Sequence, residues 1–158
     1  MLRGVFHFSF TVADIERSVD FYTELLEFEL VARQEQSNEY TERLVGYEGA
    51  HLKAALLAVP GSTRGISNHD IELIEYVAPR GERGDPGMCN PGAAHLAFLV
   101  DDAEERYERL RDAGVEFVSP PNAITSGVNE GGFTCYLRDP DQITLEMFQP
   151  SPARLGQA

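Results

Sequence analysis

The sequence predicts an α+β fold made of two copies of one strand–helix–strands module. Three observations carry that prediction. First, residues 5–14 (VFHFSFTVAD) recur as residues 93–102 (AAHLAFLVDD), with His7, Phe10, Val12 and Asp14 matched by His95, Phe98, Val100 and Asp102. The shift from His7 to His95 and from Asp14 to Asp102 is 88 residues in both cases, and self-similarity at a fixed spacing marks a duplication. Second, both stretches alternate with the period of a strand: Phe6, Phe8, Phe10 and Val12 share one face and His7, Ser9 and Thr11 the other. In the second copy Ala94, Leu96, Phe98 and Val100 lie opposite His95. Third, an aspartate follows each strand and apolar residues at helical spacing follow the aspartate.

In chain order, Asp14 caps a predicted helix carrying Ile15, Val19, Tyr22 and Leu26 and ending near Glu27. Residues 28–33, 41–47 and 52–59 read as strands, with Glu48-Gly49-Ala50 as a turn between the last two. After a polar loop at 60–68, residues 69–76 form a strand with Ile71 and Leu73 on one face and Glu72, Ile74 and Tyr76 on the other. The first module is thus residues 4–78. A Pro-, Gly- and Arg-rich connector at 79–92 leads to the second module at 93–150, and 151–158 is a tail with little structural signal. In the second module Asp102 and Glu105 have the spacing of a capping box, and the helix bearing Tyr107 and Leu110 stops at Ala113-Gly114. Residues 115–118 form a short strand, and 123–132 a loop with a double glycine. Strands at 133–137 and 143–148 pair across the turn Asp139-Pro-Asp-Gln142.

The totals narrow the class. At 158 residues, 42% hydrophobic and 25% charged, the chain has the composition of a single globular domain in two half-size modules. No apolar run nears the ~20 residues of a membrane span, and the N-terminus lacks the basic-then-apolar order of a signal peptide, so a cytoplasmic location is the expectation. A net charge of −13 argues against nucleic acid as a partner, since backbone binding needs a basic surface. Cys89 and Cys135 have no spacing that signals a disulfide framework or a thiolate metal site.

Aligning the modules also matches Asp70-Ile-Glu72-Leu with Thr144-Leu-Glu146-Met. His7, Glu72, His95 and Glu146 each stand mid-strand on the face away from the apolar side. A carboxylate there is costly to bury unless it is paired or bound to a metal. Two imidazoles and two carboxylates make a mixed nitrogen and oxygen set suited to one divalent ion, Zn, Ni, Co, Mn or Fe(II).

With these residues in view, the chain resembles the vicinal oxygen chelate superfamily, which includes glyoxalase I, methylmalonyl-CoA epimerase, the extradiol dioxygenases and the fosfomycin and bleomycin resistance proteins. The resemblance covers nearly all of residues 4–150. It rests on the His7 strand running into Asp14-Ile-Glu-Arg-Ser-Val-Asp-Phe-Tyr22, on Ile71-Glu72-Leu73, on Ala94-His95-Leu-Ala-Phe-Leu-Val100, and on Asp139-Pro-Asp with Leu145-Glu146. It implies two βαβββ modules whose mixed sheet curls into a cup with the helices outside, a homodimer, and one divalent metal on His7, Glu72, His95 and Glu146. The family's turn usually ends in glycine, where this chain has Gln142.

The resemblance also implies a chemistry: the metal stabilises an enolate or oxyanion of a small oxygenated substrate, as a Lewis acid would. Glu146 is the first candidate for the base and Glu72 the second. Thr11 and Tyr76 replace the arginine and asparagine that similar glyoxalases use, so glutathione dependence is not indicated. Tyr76, Phe148 and Tyr136 suggest instead an aromatic substrate site. The expected function is therefore a metal-dependent lyase or isomerase. The runners-up are an Fe(II)-dependent extradiol-type dioxygenase and a non-catalytic, drug-binding resistance protein.

Overall fold

A computed structural model describes residues 1, 3–63, 65, 68–84 and 87–155. Positions 64, 66 and 67 of the polar loop, 85 and 86 of the connector, and the tail beyond 155 lie outside the described residues. The chain divides into two compact units, Met1–Gly84 and Asp85–Ala158, with the boundary inside the Pro- and Gly-rich stretch at 79–92.

The first unit runs β1 (His7–Val12), α1 (Ile15–Asp20), β2 (Glu29–Gln36), α2 (Glu39–Val45), β3 (His51–Ala58) and β4 (Asp70–Ala78). Its sheet has the order β1-β4-β3-β2, with β1 parallel to β4 and the other pairs antiparallel. Asp14 starts α1 by accepting from the backbone N–H groups of Glu16 and Arg17 at 3.0 and 3.1 Å. Helix α1 lies on β3 and β4, and Ile15, Val19 and Tyr22 are buried, as are Leu57, Ile71 and Leu73 of those strands. The predicted single helix to Glu27 instead widens into a π-helical turn at Phe21–Leu25 and ends at Glu27 with φ 66°.

Residues 41–47, predicted as a strand, belong to helix α2. Asn38 caps it by accepting from the Thr41 N–H at 3.0 Å, Arg43 pairs with Glu39 one turn earlier, and Gly46 closes it at φ 77°. These local bonds override the β-propensity of the Tyr, Thr and Val in the segment.

The second unit runs β5 (His95–Leu99), α3 (Ala103–Asp112), β6 (Glu116–Phe117), β7 (Asn122–Ala123), β8 (Phe133–Arg138), β9 (Thr144–Gln149) and α4 (Pro152–Leu155). The sheet order is β5-β9-β8-β6, with β7 beside β8 and β5 parallel to β9. Leu110 of α3 and Leu137, Leu145 and Met147 of the sheet make its core.

The duplication extends to a device that the sequence does not advertise. In the first unit the Glu75 carboxylate of β4 accepts from the Ile15 N–H at 3.1 Å; in the second the Gln149 amide oxygen of β9 accepts from the Ala103 N–H at 2.8 Å. Each closing strand thereby satisfies an orphan donor in the first turn of its own helix, which fixes helix to sheet at the same place in both copies.

One expectation is corrected here. The modules do not build a curled, cup-shaped sheet: each unit holds its own open sheet, and neither closes or curls strongly. Closure needs strand tilt and stagger carried round a ring of about eight strands. Four principal strands per sheet, with the two-residue β6 at one edge, do not supply it.

Candidate functional site

In each unit the helix covers one face of the sheet and the alternate residues stand on the other. On the first sheet the register sets Ser9 opposite Glu72, so His7, two residues earlier on β1, is diagonal to the carboxylate. His7 Nε2 lies 3.3 Å from Glu72 Oε2. The second sheet repeats this: Ala97 stands opposite Glu146, and His95 Nε2 lies 3.1 Å from Glu146 Oε2. The other oxygen of Glu146 accepts from the Thr134 hydroxyl at 2.5 Å, and the Tyr136 ring leans on the His95 ring at 5.2 Å. The mid-strand carboxylate is thus held on both oxygens, as a partly buried charge requires.

The second sheet's open face also forms one wall of a groove of about 1090 Å³. Ala97, Leu99, Glu146 and Phe148 lie along the strands; Val128, Asn129 and Glu130 come from the loop before β8, and Ser151, Arg154 and Leu155 from the C-terminal segment. The double glycine brings loop and strand together. A Cβ on Gly132 would lie 2.5 Å from the Gln149 carbonyl oxygen, so only glycine admits that approach, and Gly131 turns at φ 84°. Arg154 Nη1 donates to Asn129 Oδ1 and ties α4 to the same loop.

The sequence profile of the Glyoxalase/Bleomycin resistance protein/Dioxygenase superfamily matches residues 4–147. The chain belongs to that superfamily. A 2-epi-5-epi-valiolone epimerase from Actinomyces sp is 31% identical over 148 residues, which are 91% of this chain and 78% of the epimerase. A lactoylglutathione lyase from Arabidopsis thaliana is 23% identical over 95% of this chain, which spans 45% of that longer protein. A glyoxalase family protein from Bacillus cereus shares the fold with a TM-score of 0.80 at 20% identity, covering 96% of each chain.

Within the superfamily fold, the expected divalent metal centre is not what these residues build. His7 meets Glu72 and His95 meets Glu146, but neither pair gains a third donor: among the described residues no group of three or more His, Cys, Asp or Glu is placed to hold a metal ion. Two donors fall short of the three or four protein ligands of a zinc-type site. The environment of His7 points the same way. A metal-bound histidine almost always anchors its second nitrogen on an acceptor, whereas His7 Nδ1 is buried with no hydrogen-bond partner among the described residues. The cofactor expectation of Zn, Ni, Co, Mn or Fe(II) is therefore corrected. With it go the metal-dependent lyase or isomerase, whose oxyanion stabilisation needed the ion, and the Fe(II) dioxygenase.

The remaining predicted residues divide between the two open faces. Phe148 lines the groove and Tyr136 stands beside His95. Thr11 is exposed on β1 opposite Ile74, and Tyr76 packs edge-on against Tyr47 at 6.1 Å on the first unit. Sequence reasoning missed the groove's C-terminal wall, Ser151 to Leu155, because that segment reads as a tail with little structural signal.

Proposed function

We propose that this superfamily member binds a small organic molecule without transforming it, in the groove of its second unit. One observation carries the reading: an open groove of about 1090 Å³ lined by both apolar residues, among them Ala97, Leu99, Val128 and Phe148, and polar ones, among them a fixed acceptor, Glu146. Small-molecule sites combine a concave, largely apolar surface with a few placed polar groups, in volumes of roughly 300–1,000 Å³. The epimerase relative is named for a small organic molecule, 2-epi-5-epi-valiolone, which supports the same ligand class.

In this reading Phe148 packs against the ligand's apolar part, Glu146 accepts a hydrogen bond from it, and His95 and Tyr136 hold Glu146 in place. Thr11 and Tyr76 contact a ligand only if one also lies on the first sheet. A homodimer is part of the same reading, supported by Phe6 and Phe8, 60% and 49% exposed at the edge of the first sheet, and light scattering of the eluted protein tests it.

The test of binding is calorimetric titration of the chelator-treated protein with a panel of small oxygenated and aromatic compounds, followed by amide chemical shifts. Saturable binding that perturbs Ala97, Leu99 and Phe148 is the expected result. Phe148→Ala should weaken it about tenfold, the ~1.4 kcal/mol of a partly buried aromatic ring. No perturbation at those residues by any compound, or conversion of the bound compound to product, would overturn the reading.

A further inference from the structure

Resting on that reading, we propose that the groove selects cationic amphipathic molecules, with the positive head between Glu130 and Glu146 and the apolar body on Leu99, Phe148 and Leu155. Three titratable residues line the groove: Glu130, Glu146 and Arg154. Arg154 Nη1 donates to Asn129 Oδ1, a neutral amide, so the lining holds two carboxylates against one cation. Glu130 is exposed on the loop and makes no ion pair with a described residue. Glu146 Oε1 accepts from Thr134 and Oε2 faces His95, yet an ionised carboxylate has about four lone-pair sites and keeps room for a donor from the groove.

The wider field has the same sign. Residues 85–158 carry twelve carboxylate side chains against five arginines and no lysine, within a chain of net charge −13. A negative potential over a concave surface raises the local concentration of cations and lowers that of anions. The apolar complement is equally specific. Leu99 is 77% exposed, Val128 87% and Leu155 60%, large side chains left open beside the carboxylates. A simple inorganic cation would use the carboxylates and leave these surfaces wet; an organic cation covers both.

A matched trio of probes tests this: 1-naphthylmethylammonium, 1-naphthylmethanol and 1-naphthoate, titrated at pH 7 with calorimetry and amide chemical shifts. The ammonium should bind most tightly, the naphthoate least, and added salt should narrow the difference. Glu130→Gln should weaken the ammonium about fivefold, the ~1 kcal/mol of one exposed charge pair, and leave the alcohol within about twofold. Glu48→Gln, an equal charge change on the first unit, should leave all three unchanged. Naphthoate binding as tightly as the ammonium, or an ammonium affinity indifferent to Glu130→Gln, would overturn charge selection while leaving the groove as a binding site. If none of the three perturbs the residues of the groove, the small-molecule reading falls and this inference with it.

Discussion

His95 Nε2 and Glu146 Oε2 lie 3.1 Å apart on neighbouring parallel strands, and the same diagonal joins His7 to Glu72 at 3.3 Å in the other unit. The repeated histidine and glutamate are therefore partners of each other in each copy. The second pair is the more elaborate, because Thr134 adds a 2.5 Å hydrogen bond to the free oxygen of Glu146. A hydroxyl bonded to an ionised group contributes about 1.5–3 kcal/mol when sheltered and less when partly exposed. Thr134→Val, nearly isosteric, should lower stability by about 1 kcal/mol, a fall in Tm of roughly 2–4 °C, and loosen ligand binding by freeing the carboxylate. Thermal melts and titration of the variant check both; an unchanged Tm would show that the hydroxyl does not hold Glu146.

The repeat and the strands carrying it were legible because alternation and duplication are local patterns, visible at His7 to Val12 and again at His95 to Leu99. Asp14 and Asp102 were legible as caps for the same reason, since each bonds backbone within three residues. Helix α2 was misread because Tyr40, Thr41 and Val45 favour strands, and the deciding terms were the Asn38 cap and the Glu39–Arg43 pair. At the candidate site, residue types were legible but the number of donors meeting at one point was not. That number depends on strand register and on how far each pair stands from any third ligand. The Arg154–Asn129 contact joins segments 25 residues apart through a single turn of helix, which no periodic pattern announces.

Chelation should have no effect on the folded protein. A metal present at 100 times its Kd would add about 2.7 kcal/mol to stability, a change in Tm of roughly 5–10 °C for a chain of this size. Since neither His–Glu pair gains a third donor among the described residues, dialysis against EDTA followed by titration with Zn, Ni, Co, Mn or Fe(II) should leave Tm and ligand affinity unchanged. A saturable rise in Tm with any of these ions would show a donor set that the geometry lacks.

Gly132 tests how the groove's wall is built. A methyl group there meets the Gln149 carbonyl oxygen at 2.5 Å and the Asn129 carbonyl oxygen at 3.2 Å, both of them backbone atoms. Gly132→Ala should therefore push the loop off β9, lowering stability by about 1–3 kcal/mol, as overpacking does, and weakening ligand binding more than Tm alone explains. Titration at a temperature where the variant is fully folded separates the two effects.

Gln142 occupies the last position of the Asp139-Pro-Asp turn at φ 67°, a backbone region that favours glycine. The turn is held from its other end: Asp139 Oδ1 accepts from the N–H groups of Asp141 and Ile143, both at 2.8 Å. The Gln142 side chain contributes one exposed bond, Nε2 to Glu116 at 3.2 Å. Gln142→Gly should thus stabilise the protein by about 0.5–1 kcal/mol, while Gln142→Val should destabilise it, because a β-branched residue tolerates this φ least. Urea unfolding of the two variants decides the sign.

Cys135 makes stability depend on pH. Its side chain points from β8 into the core opposite Met147, and burial pushes the thiol up to about 11, with Glu104 and Glu146 adding to the shift. The native state therefore keeps its proton to about pH 11, whereas the unfolded chain releases it near the ordinary value of 9.0. Above that ordinary value the native state binds more protons than the unfolded one, so stability falls as pH rises. The contribution is complete below about pH 9 and is lost progressively toward about pH 11. Cys135→Ala should lower stability at pH 7 through the cavity it leaves, yet flatten the decline across this window relative to the parent. Other groups titrate there in both proteins, so the difference between the two urea-unfolding profiles isolates the thiol. Parallel profiles would show that Cys135 ionises alike in the native and unfolded states, and that its burial is not sustained in solution.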